Sequence, residues 1–352
     1  MSKLITVFGS TGQQGGAVAR ALLAKGYQVR AVTRNPDSPK AKELQAKGAE
    51  LVQVKNMDNV ASLEAAIKGA YGVFLVTNYW GMFAENPATA CDREVAQGKA
   101  VGDLCKKLGV KHLVYSGLEY VKEIIGKPCP HFDGKGIVEK YLDKSGVPYT
   151  STRYSYYYDN FANTPPQKND DGTYTLTLPV KKAMDGIGVE DAGPAVAAIF
   201  DKPEEYIGKK IGLSGDKLTL SEFVAIISKV TGKTVTYNEV PYEVFAKFPF
   251  PGADDLATMF EFYDIGNQDH NIEKTRELNP STLTFQQWAE KNKDKLLNWL
   301  VHHNWSIILH YVSNCRWYAH VRAKRLDLTL TFLSAKNFPI IRIKVKSDNQ
   351  LH

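Results

Sequence analysis

Two sets of residues in this chain have the types and spacing to do chemistry. One is a run of glycines near the start. The other is a histidine and a lysine four residues apart near the middle. The first set is Gly9-Ser10-Thr11-Gly12-Gln13-Gln14-Gly15. Gly9 can take a tight turn that a Cβ would obstruct. Gly12 lets the backbone come close to a pyrophosphate, and Gly15 lets the following helix pack on the preceding strand. Free N–H groups at the helix start, at the positive end of its dipole, then hold the phosphates. The plainer alternative is a strand-to-helix turn with no ligand. The flanks favour the first reading: the run follows Leu4-Ile5-Thr6-Val7-Phe8 and precedes a helical pattern at Ala17, Val18, Ala21, Leu22 and Leu23.

Arg34 stands 19 residues beyond Gly15. An NAD-binding unit places an acid near that point, on the ribose 2′-hydroxyl. A guanidinium there suits a 2′-phosphate instead, through paired charge-assisted hydrogen bonds, whereas an acid would repel it. The cofactor expected is therefore NADP(H). The alternative is a solvated arginine at a strand end.

The elements that must position these residues alternate along the chain. Strand patterns at 4–8, 28–33, 50–54, 72–76 and 112–116 are separated by helical patterns at 17–23, 41–46, 61–67 and 93–108. That order predicts an α/β fold, a Rossmann-type doubly wound parallel sheet. Ligands of such sheets sit at the carboxyl ends of the strands. Those ends carry Gly9–Gln14, Arg34, Lys55 and Asn56, Thr77–Tyr79, and Ser116–Gly117, so separately found candidates converge on one edge. A helix starts near His131 and carries Lys135, and strand 148–152 follows. Beyond it, strands at 174–178, 210–213 and 235–238 and helices at 191–200 and 220–230 predict a smaller α/β substrate-side lobe. The expected division is 1–153 for the nucleotide lobe, with later segments returning to it, 154–299 for the smaller lobe, and 300–352 for a tail.

The chain has 352 residues, 43% of them hydrophobic, enough for about two domains. Cys91, Cys105, Cys129 and Cys315 stand apart with no C-x-x-C pair, which argues against a disulfide framework and a zinc site and suits a reducing compartment. No metal is expected. No stretch reads as a membrane span, and the first strand begins too early for a signal peptide. Residues 301–352 hold eight Lys/Arg and two acids, which accounts for the whole net charge of +6; the remaining 36 bases and 36 acids balance.

The G-x-x-G-x-x-G spacing resembles the extended and atypical short-chain dehydrogenase/reductases. More motifs narrow the likeness: Thr11-Gly12-Gln13-Gln14-Gly15-Gly16, Val32-Thr33-Arg34-Asn35-Pro36, Val76-Thr77-Asn78-Tyr79-Trp80, Val114-Tyr115-Ser116-Gly117-Leu118-Glu119, His131-Phe132-Asp133-Gly134-Lys135-Gly136, the stretch 250–260, and Leu283-Thr284-Phe285-Gln286-Gln287-Trp288. Together they resemble the NmrA-like family over about residues 3–299. The resemblance implies an NADP-binding redox sensor with regulatory protein partners. It further implies a homodimer that dissociates as NADPH falls, in the cytoplasm and also the nucleus. It places cofactor contacts on Gly9–Gln14, on Arg34, Asn35, Pro36, Asp37 and Ser38, on Thr77, Asn78 and Tyr79, on Lys135, and on Tyr157, Tyr158, Asp159 and Asn160. Lys55, beside Asn56 in the adenine loop, stands where relatives carry an acid. Ala96 stands where they carry a second lysine.

A reductase of this superfamily uses Tyr-x-x-x-Lys, a spacing that puts both side chains on one helix face. The tyrosine protonates the substrate oxygen as hydride arrives, and the lysine lowers its pKa and holds the nicotinamide ribose. Here Lys135 is present, but His131 occupies the tyrosine position. The expectation is a nucleotide-binding regulator without strong turnover. The alternative is an NADPH-dependent reductase of quinones or other small carbonyls using His131 and Lys135, since histidine exchanges protons near neutral pH. The tail, without glycine, interleaves bases and aromatics at Arg316-Trp317-Tyr318 and Arg322, as nucleic-acid binders do. The plainer account is an end with no evolved fold, so no nucleic-acid partner is expected. Local structure is expected at 305–312 and 326–333.

Overall fold

The computed structural model describes residues 3–163, 166–265 and 268–302, together with the strands Leu328–Ala335 and Phe338–Val345. The chain forms two compact units, residues 1–301 and 302–352.

The first unit is built on an eight-stranded sheet. The chain begins β1 (Leu4–Val7), α1 (Gln13–Ala24), β2 (Gln28–Thr33), α2 (Pro39–Ala46), β3 (Glu50–Gln53), α3 (Val60–Ile67), β4 (Gly72–Leu75), α4 (Tyr79–Glu85), α5 (Ala90–Lys107), β5 (His112–Gly117), α6 (Val121–Ile125), α7 (Pro130–Ser145) and β6 (Tyr149–Tyr154). Across the sheet the order is β3-β2-β1-β4-β5-β6, then Lys210–Leu213 and His270–Asn271, and each neighbouring pair is parallel. This is the doubly wound order, reversing between β1 and β4, where a crevice opens at the carboxyl ends. β4 and β5 are buried along their whole length, as central parallel strands covered by helices on both faces must be.

Helix Ala192–Asp201 packs on α1 so closely that a Cβ at Gly193 would overlap the carbonyl of Ala17. The same unit holds two three-stranded sheets, Asp216–Leu218 with Met184–Ile187 and Tyr156–Tyr157, and Val235–Glu239 with Tyr174–Leu178 and Gln167–Lys168. The core beside these sheets is aromatic: Tyr158, Phe161, Phe223, Phe285 and Trp288 include ring pairs with centroids 4.5–5.8 Å apart.

Sequence patterning misses three kinds of element. The turn after β4 continues into α4, capped by Asn78, whose Oδ1 accepts from Gly81 N at 3.2 Å. Strand Met184–Ile187 carries Asp185 and Gly186 and has no β-type alternation. Strand His270–Asn271 is two residues long, below any period. In the second unit, Leu328–Ala335 and Phe338–Val345 pair as an antiparallel hairpin, overlapping the structure expected at 326–333. The expectation for 305–312, and residues 315–318 and 322, lie outside the described residues.

Candidate functional site

The glycine loop joins β1 to α1. Gly9 has φ +64°, a left-handed conformation that favours glycine, and a Cβ there would come within 2.7 Å of Val76 Cγ1. A Cβ at Gly15 would lie 2.7 Å from Phe8 O and overlap Gly9 O, so the helix can pack on the strand only with glycine here. Side chains tie the loop down. Ser10 Oγ donates to Val32 O at 2.8 Å, and Gln14 Nε2 donates to Ser116 Oγ at 2.8 Å, bridging to the end of β5. Gly12 is the N-cap of α1, with no side chain over it and no acid in the first turn. Gly12 and Gln13 are exposed. The uncapped N–H groups therefore face outward, as phosphate binding requires. A cleft of about 240 Å³ opens beside them, lined by Ser10–Gln13, Arg20, Lys40, Asp159 and Lys295 among others.

Arg34 follows the last residue of β2, next to Thr33, whose hydroxyl lies 3.4 Å from that of Thr11. Its side chain is exposed, and among the described residues its guanidinium makes no hydrogen bond or ion pair. Its backbone is held: Gln53 Nε2 donates to Arg34 O at 3.0 Å. Asn35 Oδ1 accepts from Asp37 N, and Ser38 caps α2 by accepting from Ala41 N. Pro36 is half-buried in this turn. Lys55 and Asn56 lie exposed just after β3, where Asn56 Oδ1 accepts from Asp58 N.

Lys135 sits one turn into α7 and meets the end of β4. Its Nζ donates to Thr77 Oγ1 at 2.8 Å and to Glu94 Oε1 at 2.7 Å. Thr77 Oγ1 donates to the same Glu94 oxygen at 2.7 Å. Glu94 is fully buried, and its Oε2, close to Gly134, has no hydrogen-bond partner among the described residues. Thr77 and Lys135, distant in sequence, are thus brought together. Glu94, which joins them, carries no local sequence signal.

His131 is a buried residue, not a loop side chain. Its Nδ1 lies 2.7 Å from Asp255 Oδ1, and its backbone N donates to Asp255 Oδ2 at 3.3 Å. Asp255 belongs to helix Ala253–Ile265. It lies in the 250–260 stretch noted above, yet nothing in its spacing links it to His131. Trp80, Phe132 and Tyr79 surround the imidazole at centroid distances of 5.1, 4.8 and 6.1 Å. Burial drives the Tyr79 hydroxyl's pKa upward, with the Asp255 carboxylate adding to it. Cys129 Sγ lies 3.7 Å from His131 Nδ1, and the ligating atoms of Cys129, His131 and Asp255 lie within 4.8 Å of one another. At 2.7 Å, Nδ1 and Oδ1 form a hydrogen bond. Two ligands of one tetrahedral zinc would stand about 3.3 Å apart.

The segment after β6 divides. Tyr157 is half-buried, its ring 5.9 Å from that of Tyr154. Asp159 lines the cleft beside the glycine loop, with Oδ2 accepting from Val189 N at 3.0 Å, and Asn160 is half-buried beside it. Tyr158 lies elsewhere: it is fully buried among Phe223, Phe285 and Trp288, so its ring packs the aromatic core and does not face the cleft.

The sheet order and the loop define a Rossmann-type protein. Within that class, a model of the NmrA-like family matches residues 1–290, and the chain belongs to that family. An NmrA-like family domain-containing protein of Dictyostelium discoideum is 31% identical, covering 84% of this chain and 100% of that protein. The NmrA-like family domain-containing oxidoreductase malD of Malbranchea aurantiaca is 34% identical, covering 67% and 75%. Among solved structures, NmrA, a negative transcriptional regulator in complex with NADP, superposes with a TM-score of 0.71 at 24% identity, covering 85% of this chain and 99% of that one. That likeness concerns the fold alone. An NADPH-dependent quinone oxidoreductase of Escherichia coli, complexed with NADPH, gives a TM-score of 0.65 at 25% identity, covering 82% and 98%. Among the described residues, no helix is long and apolar enough to cross a membrane.

Proposed function

We propose that this chain binds NADP(H) and acts as a regulatory protein that reads the nucleotide's state, without strong dehydrogenase turnover. The uncapped start of α1 would hold the pyrophosphate, Arg34 the 2′-phosphate, and Lys135 the nicotinamide ribose. When bound, the nucleotide supplies a hydride donor or acceptor. The observation that carries the regulatory reading is the Lys135–Glu94 pair. A tyrosine-based reductase needs the lysine's uncompensated charge to acidify its proton donor. Here a fully buried carboxylate 2.7 Å away matches that charge, and the tyrosine is a histidine. Nucleotide binding then acts by favouring one conformation or assembly over another, which requires tighter binding to one state. Protein partners, a homodimer, and a place in the cytoplasm and nucleus belong to this reading. The test is to incubate the protein with NADPH and a panel of quinones, aldehydes and ketones. Only slow NADPH consumption is expected, together with a nucleotide-dependent change in sedimentation or protease sensitivity. Robust turnover overturns it.

One observation favours a second reading, an NADPH-dependent reductase of small carbonyls. The buried His131–Asp255 pair is arranged as an oriented acid–base group would be.

A further inference from the structure

We propose that Asp255 is the positioning residue of a histidine-based proton donor, with Nε2 of His131 as the atom that exchanges the proton. The inference goes beyond the regulatory reading and rests on the reductase reading of the same site. An ionised carboxylate only accepts hydrogen bonds, so the ring nitrogen facing Asp255 Oδ1 at 2.7 Å carries the hydrogen. The other carboxylate oxygen takes the His131 backbone N–H. One side chain thus fixes both the tautomer of the imidazole and the start of the helix that bears it. Nε2 is left as the exchanging nitrogen, since the ring's hydrogen bonds among the described residues run through Nδ1. His131 and Asp255 are only 7% and 5% exposed, so little water competes for their bond. The rings of Trp80, Phe132 and Tyr79 hold the imidazole plane.

The surrounding charges suit this donor better than they suit a tyrosine. A tyrosine acid needs a nearby cation to bring its proton within reach of neutral pH. An imidazole exchanges protons there without one. The structure provides that pattern: Glu94 matches the charge of Lys135, and Asp255 faces His131. In the proposed step a carbonyl carbon takes a hydride, with its electron pair, from NADPH. The π pair moves to the oxygen, and that oxygen takes the proton from Nε2 of protonated His131. The products are an alcohol, NADP⁺ and neutral imidazole, which regains a proton from water.

The test uses the full chain in two measurements. In the first, ¹⁵N-histidine NMR, with His131 assigned through His131→Gln, should show hydrogen on Nδ1 of the neutral ring. Asp255→Ala should lose that tautomer and Asp255→Glu should restore it. Asp255→Asn, similar in shape, serves if Asp255→Ala does not fold. In the second, NADPH oxidation is followed with a quinone and aldehyde panel. The Asp255→Ala kcat should fall about tenfold to a hundredfold, within the range general acids contribute, with KM for NADPH little changed and partial recovery in Asp255→Glu. Hydrogen on Nε2 in the wild type, or a tautomer indifferent to Asp255, overturns the proposal. So does wild-type turnover that ignores Asp255, which leaves the reductase reading standing. A wild type that oxidises no NADPH with any substrate removes both.

Discussion

The glycine loop and the Lys135 corner hold their polar groups in opposite ways. At the loop, Gly12 and Gln13 are exposed and the N–H groups of α1 have no side-chain cap. Among the described residues no side chain satisfies them, so a phosphate can. At the corner, Lys135 and Thr77 both donate to one oxygen of the buried Glu94, and Nδ1 of the buried His131 pairs with Asp255. The loop is preorganised for a ligand by leaving donors free. The corner is preorganised by internal neutralisation, so a ligand arriving there meets dipoles and balanced pairs with no bare charge. A protein with an open binding half and a closed chemical half is suited to holding a nucleotide longer than it uses one.

The corner should show the largest effect when broken. Removing one member of a buried ion pair strands the other, which costs about 3–5 kcal/mol. Glu94→Ala should fall near the lower end, because Lys135 keeps 12% of its side chain exposed and can turn toward solvent. For a unit of this size that is about 6–12 °C in Tm. Glu94→Ala/Lys135→Met should recover part of the loss. A Glu94→Ala protein melting with the wild type would show that the corner is not internally neutralised.

Gly15→Ala tests the loop from its structural side. The new Cβ would overlap Gly9 O, and both contacts are backbone, which cannot swing away. Overpacking of this kind costs about 1–3 kcal/mol. NADPH affinity should fall as well, since α1 and the loop would part. Unchanged affinity in isothermal calorimetry would separate helix packing from phosphate binding.

The two regions also differ in how far the sequence reveals them. The loop was legible because everything it needs is local: an apolar strand, three glycines and a helical pattern within about twenty residues. The parallel sheet was legible for the same reason, from alternation along the chain. Glu94 and Asp255 were not, because each meets its partner only after folding, Glu94 across 41 residues and Asp255 across 124. The burial of His131 and its pairing with Asp255 likewise arise only in the fold. Tyr158 was grouped with its neighbours as a cofactor contact. It sits in a four-tyrosine run interrupted by Ser155, where sequence alone does not say which ring turns inward.

Arg34→Ala acts on the loop side without touching the fold. The side chain is exposed and the surrounding turn is held by backbone, Asn35 and Ser38. Tm should therefore stay within about 1 °C, since surface substitutions of this kind change stability by no more than about 0.5 kcal/mol. NADPH should lose about tenfold to a hundredfold in affinity, the worth of one charge-assisted contact, while NADH should lose little. Equal wild-type affinity for the two nucleotides, measured by calorimetry, would leave Arg34 a solvated residue.

The smallest effect is expected far from both regions. Trp299 and Leu300 are buried in the first unit, and the chain divides after Val301. The net charge of the whole chain resides beyond residue 300, while the remainder is balanced. We therefore propose the boundary near residue 300 as functional as well as structural. A chain ending at Val301 should keep its melting temperature and its NADPH affinity, and should lose any salt-sensitive affinity for polyanions that the basic tail confers, since such binding weakens as salt rises. Ending at Val301 keeps both buried anchors, so a failure to fold cannot be blamed on losing Trp299 or Leu300. It would mean that the tail supports the first unit, and then the contrast between loop and corner would have to be drawn again with the tail included.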